Sequence, residues 1–230
     1  MSGPCALAVE AATGQLSLAA CRGARVEVLE LQPAREHTDR IYEHAAAVLA
    51  AVGADFGALD CVAFGCGPGS FTGVRVAAAV AQALAFARDL PVVRISSLAV
   101  LAAGAARVHG SANYGICEDA RMGQAYAGLY QGGPMPVALM PDALVEPSGL
   151  EFPGVTPFIA LGDGWAAFPE LHERHRSRLV ALDTALLPSA RELLSMALEE
   201  FRAGRTLRAE QALPEYLGQA PAHAPGQGNR

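Results

Sequence analysis

With 230 residues, 52% of them hydrophobic and 17% charged, the chain can bury its own core, which excludes a disordered protein and a disulfide- or metal-stapled miniprotein. A formal net charge of -6, carried without a lysine or a basic run, speaks against a surface that grips nucleic acid through its own phosphate contacts. Five scattered cysteines without C-x-x-C spacing indicate neither a zinc ribbon nor a redox pair.

In chain order, three strand-like runs come first, at 5–9, 16–21 and 25–31, punctuated by Gly14 and Gly23. Ile41, Ala45, Val48, Leu49 and Val52 then recur at helical spacing. A short apolar strand at 61–64 leads into a glycine-rich loop, and a helix is expected from Val74 to about Arg88. A strand at 91–95 follows, and Ser96 or Ser97 is placed to cap a helix running to Arg107. The second half reads similarly: strands at 113–118, 124–130 and 137–140, a buried strand at 158–161 ending in Gly162-Asp163-Gly164, a strand at 178–182 and an amphipathic helix at 189–202. Three meandering strands followed by alternating helix and strand, seen twice, predict a duplicated α/β fold. The expected organisation is an N-terminal lobe at 1–110, a less regular C-terminal lobe at 111–220 and a disordered Gly/Pro-rich tail at 221–230. No signal peptide is read at the N-terminus, and the longest apolar stretch, Val76 to Ala87, is interrupted by Gln82, so a cytoplasmic protein without membrane association is expected.

The strongest local signal is Gly65-Cys66-Gly67-Pro68-Gly69-Ser70-Phe71-Thr72-Gly73-Val74-Arg75, set between a strand and a helix. Backbone N–H groups converging at a helix N-terminus favour anions. The loop is nevertheless not a P-loop, because no Lys-Ser/Thr pair follows, nor the dinucleotide fingerprint, because Ser70 stands where the third glycine belongs. As a whole string, Gly67 to Arg75 resembles the signature of the TsaB (YeaZ) family. The resemblance extends over most of the chain: Leu7 to Thr13, His37 and the helix after it, Ser96-Ser97-Leu98, Asp119 to Tyr126, Gly162-Asp163-Gly164 and Pro214-Glu215-Tyr216-Leu217 all fall in family order.

That resemblance implies the fold of actin, Hsp70 and the sugar kinases, two RNase H-like lobes with mixed sheets and flanking helices. It further implies a non-catalytic partner of the transferase TsaD, assembling with the ATPase TsaE. TsaD places a threonylcarbamoyl group on N6 of adenosine 37 in tRNAs reading codons that start with A. Such a subunit meets tRNA only through the complex, needs no cofactor of its own, and can form a homodimer when alone. The alternative is an active small ATPase or sugar-kinase-like enzyme of the same fold. In active members a strand-1 aspartate precedes a tight glycine turn, whereas here Glu10-Ala11-Ala12-Thr13 has no glycine before Gly14, and the added Cβ atoms would crowd a phosphate. Glu10, Asp119 and Asp163 stand where nucleotide or magnesium ligands sit in an active relative, and each also reads as a turn or capping carboxylate.

No other chemical constellation emerges. The His172-Glu173-Arg174-His175 run is one residue short of H-E-x-x-H and reads as a solvated helix face. His37 and His44, seven apart, are expected about two helical turns (~10 Å) from each other. Cys66 reads as structural or incidental, with a reactive thiol beside a helix N-terminus as the alternative, and Ser70 lacks the G-x-S-x-G frame of a nucleophile.

The expected partner surface is the helix after the loop. It is apolar almost all round, with Val76, Val80 and Leu84 on one side and many alanines elsewhere, so it needs cover on two sides. The preceding helix adds Ala46, Ala47 and Ala50 outside its core stripe. The family forms its helical-bundle interface from these two helices, which points to the signature loop (Gly67, Pro68, Gly69, Ser70, Phe71, Thr72, Gly73), Arg75, Val76, Ala79, Val80, Ala83, Ala46 and Ala50. The alternative cover is the chain's own second lobe.

Overall fold

The computed structural model describes residues 3–154 and 156–217; the tail expected at 221–230 lies outside them. Strands β1 (Cys5–Glu10), β2 (Leu16–Arg22) and β3 (Arg25–Leu31) form an antiparallel meander. Helix α1 (Ile41–Ala51) then leads to β4 (Cys61–Gly65), and α2 (Phe71–Arg88) to β5 (Val92–Ile95); both strands add in parallel, giving the order β3-β2-β1-β4-β5. After α3 (Ser97–His109) the pattern repeats. Strands β6 (Asn113–Arg121), β7 (Gln124–Gln131) and β8 (Val137–Val145) meander, and β9 (Phe158–Leu161) and β10 (Leu179–Asp183) add in parallel on the far side of β6. The order β10-β9-β6-β7-β8 is that of the first sheet, so the chain has a duplicated RNase H-like α/β fold.

The residues of β1 explain how the first sheet is layered. Alternation sends Leu7 and Val9 to one face and Ala6 and Ala8 to the other, and all are buried. On the large-residue face, Leu18, Val62 and Phe64 join them beneath α1 and α2. On the small-residue face, Ala19 and Ala63 join Ala6 and Ala8, and the short side chains admit the last helix, α6 (Ala190–Arg202), at close range. That helix places Leu193, Leu194, Met196 and Ala197 on the first sheet although it follows the second sheet in sequence. Helix α3 lies beside it and serves both halves: Val100 and Ala103 pack with α6, while Leu98, Leu101 and Ala105 cover Tyr114, Ile116 and Leu161.

The opposite face of the second sheet is covered by two short helices, α4 (Gly164–Ala167) and α5 (Glu170–His175), through Trp165 and Leu171 against Phe152 and Phe158. Here the expectation of a solvated 172–175 face is corrected. His175 is buried, tilted against Phe152, with Nε2 3.1 Å from the Leu150 carbonyl oxygen, and desolvation holds it below the usual histidine range. Leu171 and His175 are four apart, so a helix turns both inward while the charged residues between them face solvent.

Two other expectations shift. Helix α2 begins at Phe71, a turn before Val74, with Ser70 as its N-cap accepting from the Gly73 N–H at 3.3 Å. His37 lies in a pair of 3-10 turns before α1, not on the helix, and its ring meets that of His44 edge-on with centroids 5.8 Å apart.

Candidate functional site

The glycine-rich loop is held by its own chain. Its strand, β4, ends at Gly65, where a Cβ would overlap the Glu10 carboxylate. Glu10 is 1% exposed; its Oε1 accepts from the Ala12 N–H at 2.8 Å, and Ser97 Oγ donates to Oε2 at 3.0 Å. Burial pushes its carboxyl up to about 7, partly offset by these donors. The carboxylate therefore ties the β1–β2 turn to the start of α3. It does not line the cleft between the loop and the second sheet.

Beyond Gly65, the Ser70 N–H donates to the Ala12 carbonyl at 2.6 Å. A Cβ at Gly69 would overlap the Ala12 carbonyl, and one at Gly73 the Ala11 carbonyl. The glycines thus serve a close approach between the loop and the β1–β2 turn. Ser70 and Gly73, which an anion cradle would need, spend their N–H groups on Ala12 and on the Ser70 cap. The late Pro214-Glu215-Tyr216 segment docks on the same loop: the Glu215 N–H donates to the Cys66 carbonyl at 2.8 Å, and Arg75 Nε donates to Tyr216 Oη at 2.9 Å. Two motifs far apart in sequence are one piece of structure. Cys66 lies beneath, its thiol pushed up to about 12 by burial and the nearby Glu215, so it is a poor nucleophile.

A cleft of about 600 Å³ separates the loop from the second sheet, with Thr13, Ser70 and Phe71 on one wall and Glu118, Asp119 and Asp163 on the other. The structure brings Asp119 and Asp163 together and leaves Glu10 behind the turn. Asp163 Oδ1 accepts from the Asp119 N–H at 2.8 Å, while Asp119 accepts from the Arg121 N–H and guanidinium, each at 2.8 Å. Gly162, at φ +98°, and Gly164 flank Asp163 because a Cβ on either would collide with the Cys117 backbone. Sequence reasoning missed Glu118, whose carboxyl is raised to about 8 by burial and by the Asp163 charge. Its neighbour arrives from a different strand end, so no spacing in the sequence exposes the pair. Among the described residues no group of three or more His, Cys, Asp or Glu side chains is arranged to hold a metal. These carboxylates fasten turns, and the Ser70 hydroxyl is the α2 cap.

The helical face is open. On α1, Tyr42, Ala46 and Ala50 are exposed; on α2, Ala79 and Ala83 are exposed and Phe86 is 83% exposed. The sheet of the second half does not cover them. Val80 belongs instead to the core under α2, and Val76 is half-buried at its edge.

A family model described as TsaD, tRNA N6-adenosine threonylcarbamoyltransferase, matches residues 31–224. The Escherichia coli (strain K12) protein named tRNA threonylcarbamoyladenosine biosynthesis protein TsaB is 35% identical over 221 residues, 92% of this chain and 93% of its own. The Haemophilus influenzae protein of the same name is 34% identical over 227 residues, 92% of each chain. Among solved structures, YeaZ from Pseudomonas aeruginosa superposes with a TM-score of 0.84 at 35% identity, covering 94% of this chain and 100% of its own. With near-complete coverage in sequence and in structure, and with the signature loop and the late Glu215-Tyr216 segment meeting in space, the chain belongs to the TsaB (YeaZ) family.

Proposed function

We propose that this chain is a non-catalytic subunit required to form threonylcarbamoyladenosine at position 37 of tRNAs reading codons that start with A, acting as partner and scaffold of the TsaD transferase in a complex that includes the TsaE ATPase. The carrying observation is the exposed apolar face of α1 and α2, in which Ala46, Ala50, Ala79 and Ala83 allow close backbone approach and Tyr42 and Phe86 supply large apolar contacts. The engaged carboxylates support the non-catalytic part. Glu10 and Asp119 already accept hydrogen bonds from the chain's own turns, and the loop that would cradle phosphate is packed against Ala11 and Ala12.

Depleting the protein and analysing the nucleosides of bulk tRNA tests this reading. Threonylcarbamoyladenosine is expected to fall; a wild-type level after complete depletion, with no duplicate gene present, would sink the assignment. Steady ATP turnover by the isolated chain would replace the scaffold with an enzyme.

A further inference from the structure

Arg75 stands at the N-terminal end of the exposed α2 face, and aromatic contacts fix its side chain. The guanidinium carbon lies 3.1 Å from the centre of the Phe71 ring and 5.1 Å from that of Tyr216, and Nε donates to Tyr216 Oη at 2.9 Å. Several other arginines are held by acids, Arg107 by Glu192, Arg121 by Asp119 and Arg205 by Glu200, and Arg178 is held by the carbonyls of Phe152 and Pro153. Among the described residues no carboxylate forms an ion pair with Arg75. Its position is built without an anion.

A guanidinium laid flat on a ring keeps its N–H edge free, and that edge matches the two oxygens of a carboxylate. Ordering a free arginine costs rotamer entropy, and here that loss is taken when the chain folds. A stripe of alanines supplies contact area but little to fix which residue meets which, whereas an arginine fork at one end fixes the register.

We propose that Arg75 is a preassembled clamp that receives an aspartate or glutamate side chain of the heterologous partner at the rim of the α1–α2 face. This rests on the reading of that face as the docking surface. A second copy of the chain offers it few acids: the one within the two helices, Glu43, is paired with Arg40 at 2.6 Å, and only Asp39 and Asp89 stand at their ends. Nucleic-acid phosphate is disfavoured by the net charge of -6 and by Glu118, Asp119 and Asp163 across the cleft.

The test titrates the full chain with the TsaD-type transferase of the same organism, at low and high salt. Wild type is compared with Arg75→Gln, Arg75→Lys and Tyr216→Phe, with melting temperature recorded for each. Arg75→Gln is expected to weaken the heterodimer about ten- to a hundredfold and to flatten its salt dependence. Arg75→Lys keeps the charge without the fork and should fall between. Tyr216→Phe frees the side chain and should cost a few-fold, with melting temperatures near wild type. Wild-type binding that Arg75→Gln leaves unchanged would remove the clamp alone. The same would follow if that variant bound the transferase normally but weakened capture of tRNA by the complex, which would assign the arginine to phosphate. An affinity loss matched by unfolding in all three variants would reduce Arg75 to a structural brace. No wild-type binding would remove the docking surface and the clamp with it.

Discussion

Gly73 sits inside a helix, where alanine is ordinarily preferred by about 1 kcal/mol. Here the ordinary preference loses, because an added Cβ meets a backbone carbonyl, that of Ala11, which no side-chain rotation relieves. Gly73→Ala is expected to destabilise the chain by about 2 kcal/mol or more in denaturant unfolding, against about 0.5 or less for Gly14→Ala, whose Cβ would meet nothing within 4 Å. Equal effects at the two positions would refute the packing account of the loop. Glu10 carries a pH signature of definite sign. Its carboxyl is raised from 4.5 to about 7 by burial, so below 4.5 folded and unfolded chains are both protonated and the contribution is complete. As pH rises through about 7 the unfolded chain has already released its proton and the stability is lost, by at most about 3 kcal/mol. Replacing Glu10 by Gln should therefore flatten the fall in unfolding free energy between about pH 5 and about pH 8; an unaltered slope would place the titration elsewhere.

Among the elements, α2 joins the loop to the exposed face. Its inner residues Val74, Ala77, Val80 and Ala81 lie against β4 and β1, while Ala79, Ala83 and Phe86 look outward. A charge at Ala83 thus reaches no buried atom of this chain. Ala83→Glu is expected to leave the melting temperature within a few degrees of wild type and to abolish heterodimer with TsaD in native mass spectrometry. Intact heterodimer would move the interface to another surface, and an unfolded variant would make that face core. Strands and helices were largely legible in the sequence, because alternating apolar runs and the Ser96 and Ser189 caps carry local signals. The first turn of α2 was not, since Gly73 reads as loop until its contact with Ala11 is known. Nor was the burial of His175, whose neighbours Leu150 and Phe152 come from a separate segment. Pairings between residues distant in sequence, such as Glu118 with Asp163 or Arg75 with Tyr216, leave no periodic trace.

At the scale of the molecule, duplication was legible because each half repeats meander, helix and strand in the same order. The placement of α6 was not: its amphipathic pattern announces a buried stripe without saying which sheet receives it, and it lands on the first. The junction is tight, with the Ala190 N–H donating to Ser17 Oγ at 2.8 Å and Ser189 Oγ to Glu30 Oε1 at 2.6 Å. A growing chain that has emerged through residue 110 therefore holds five strands whose small-residue face is joined only by Val100 and Ala103 of α3, and the rest of that face stays bare until α6 has left the ribosome. The first half cannot finish folding during synthesis of the second. It must be kept from aggregating meanwhile, and the two halves gain their stability in one late step.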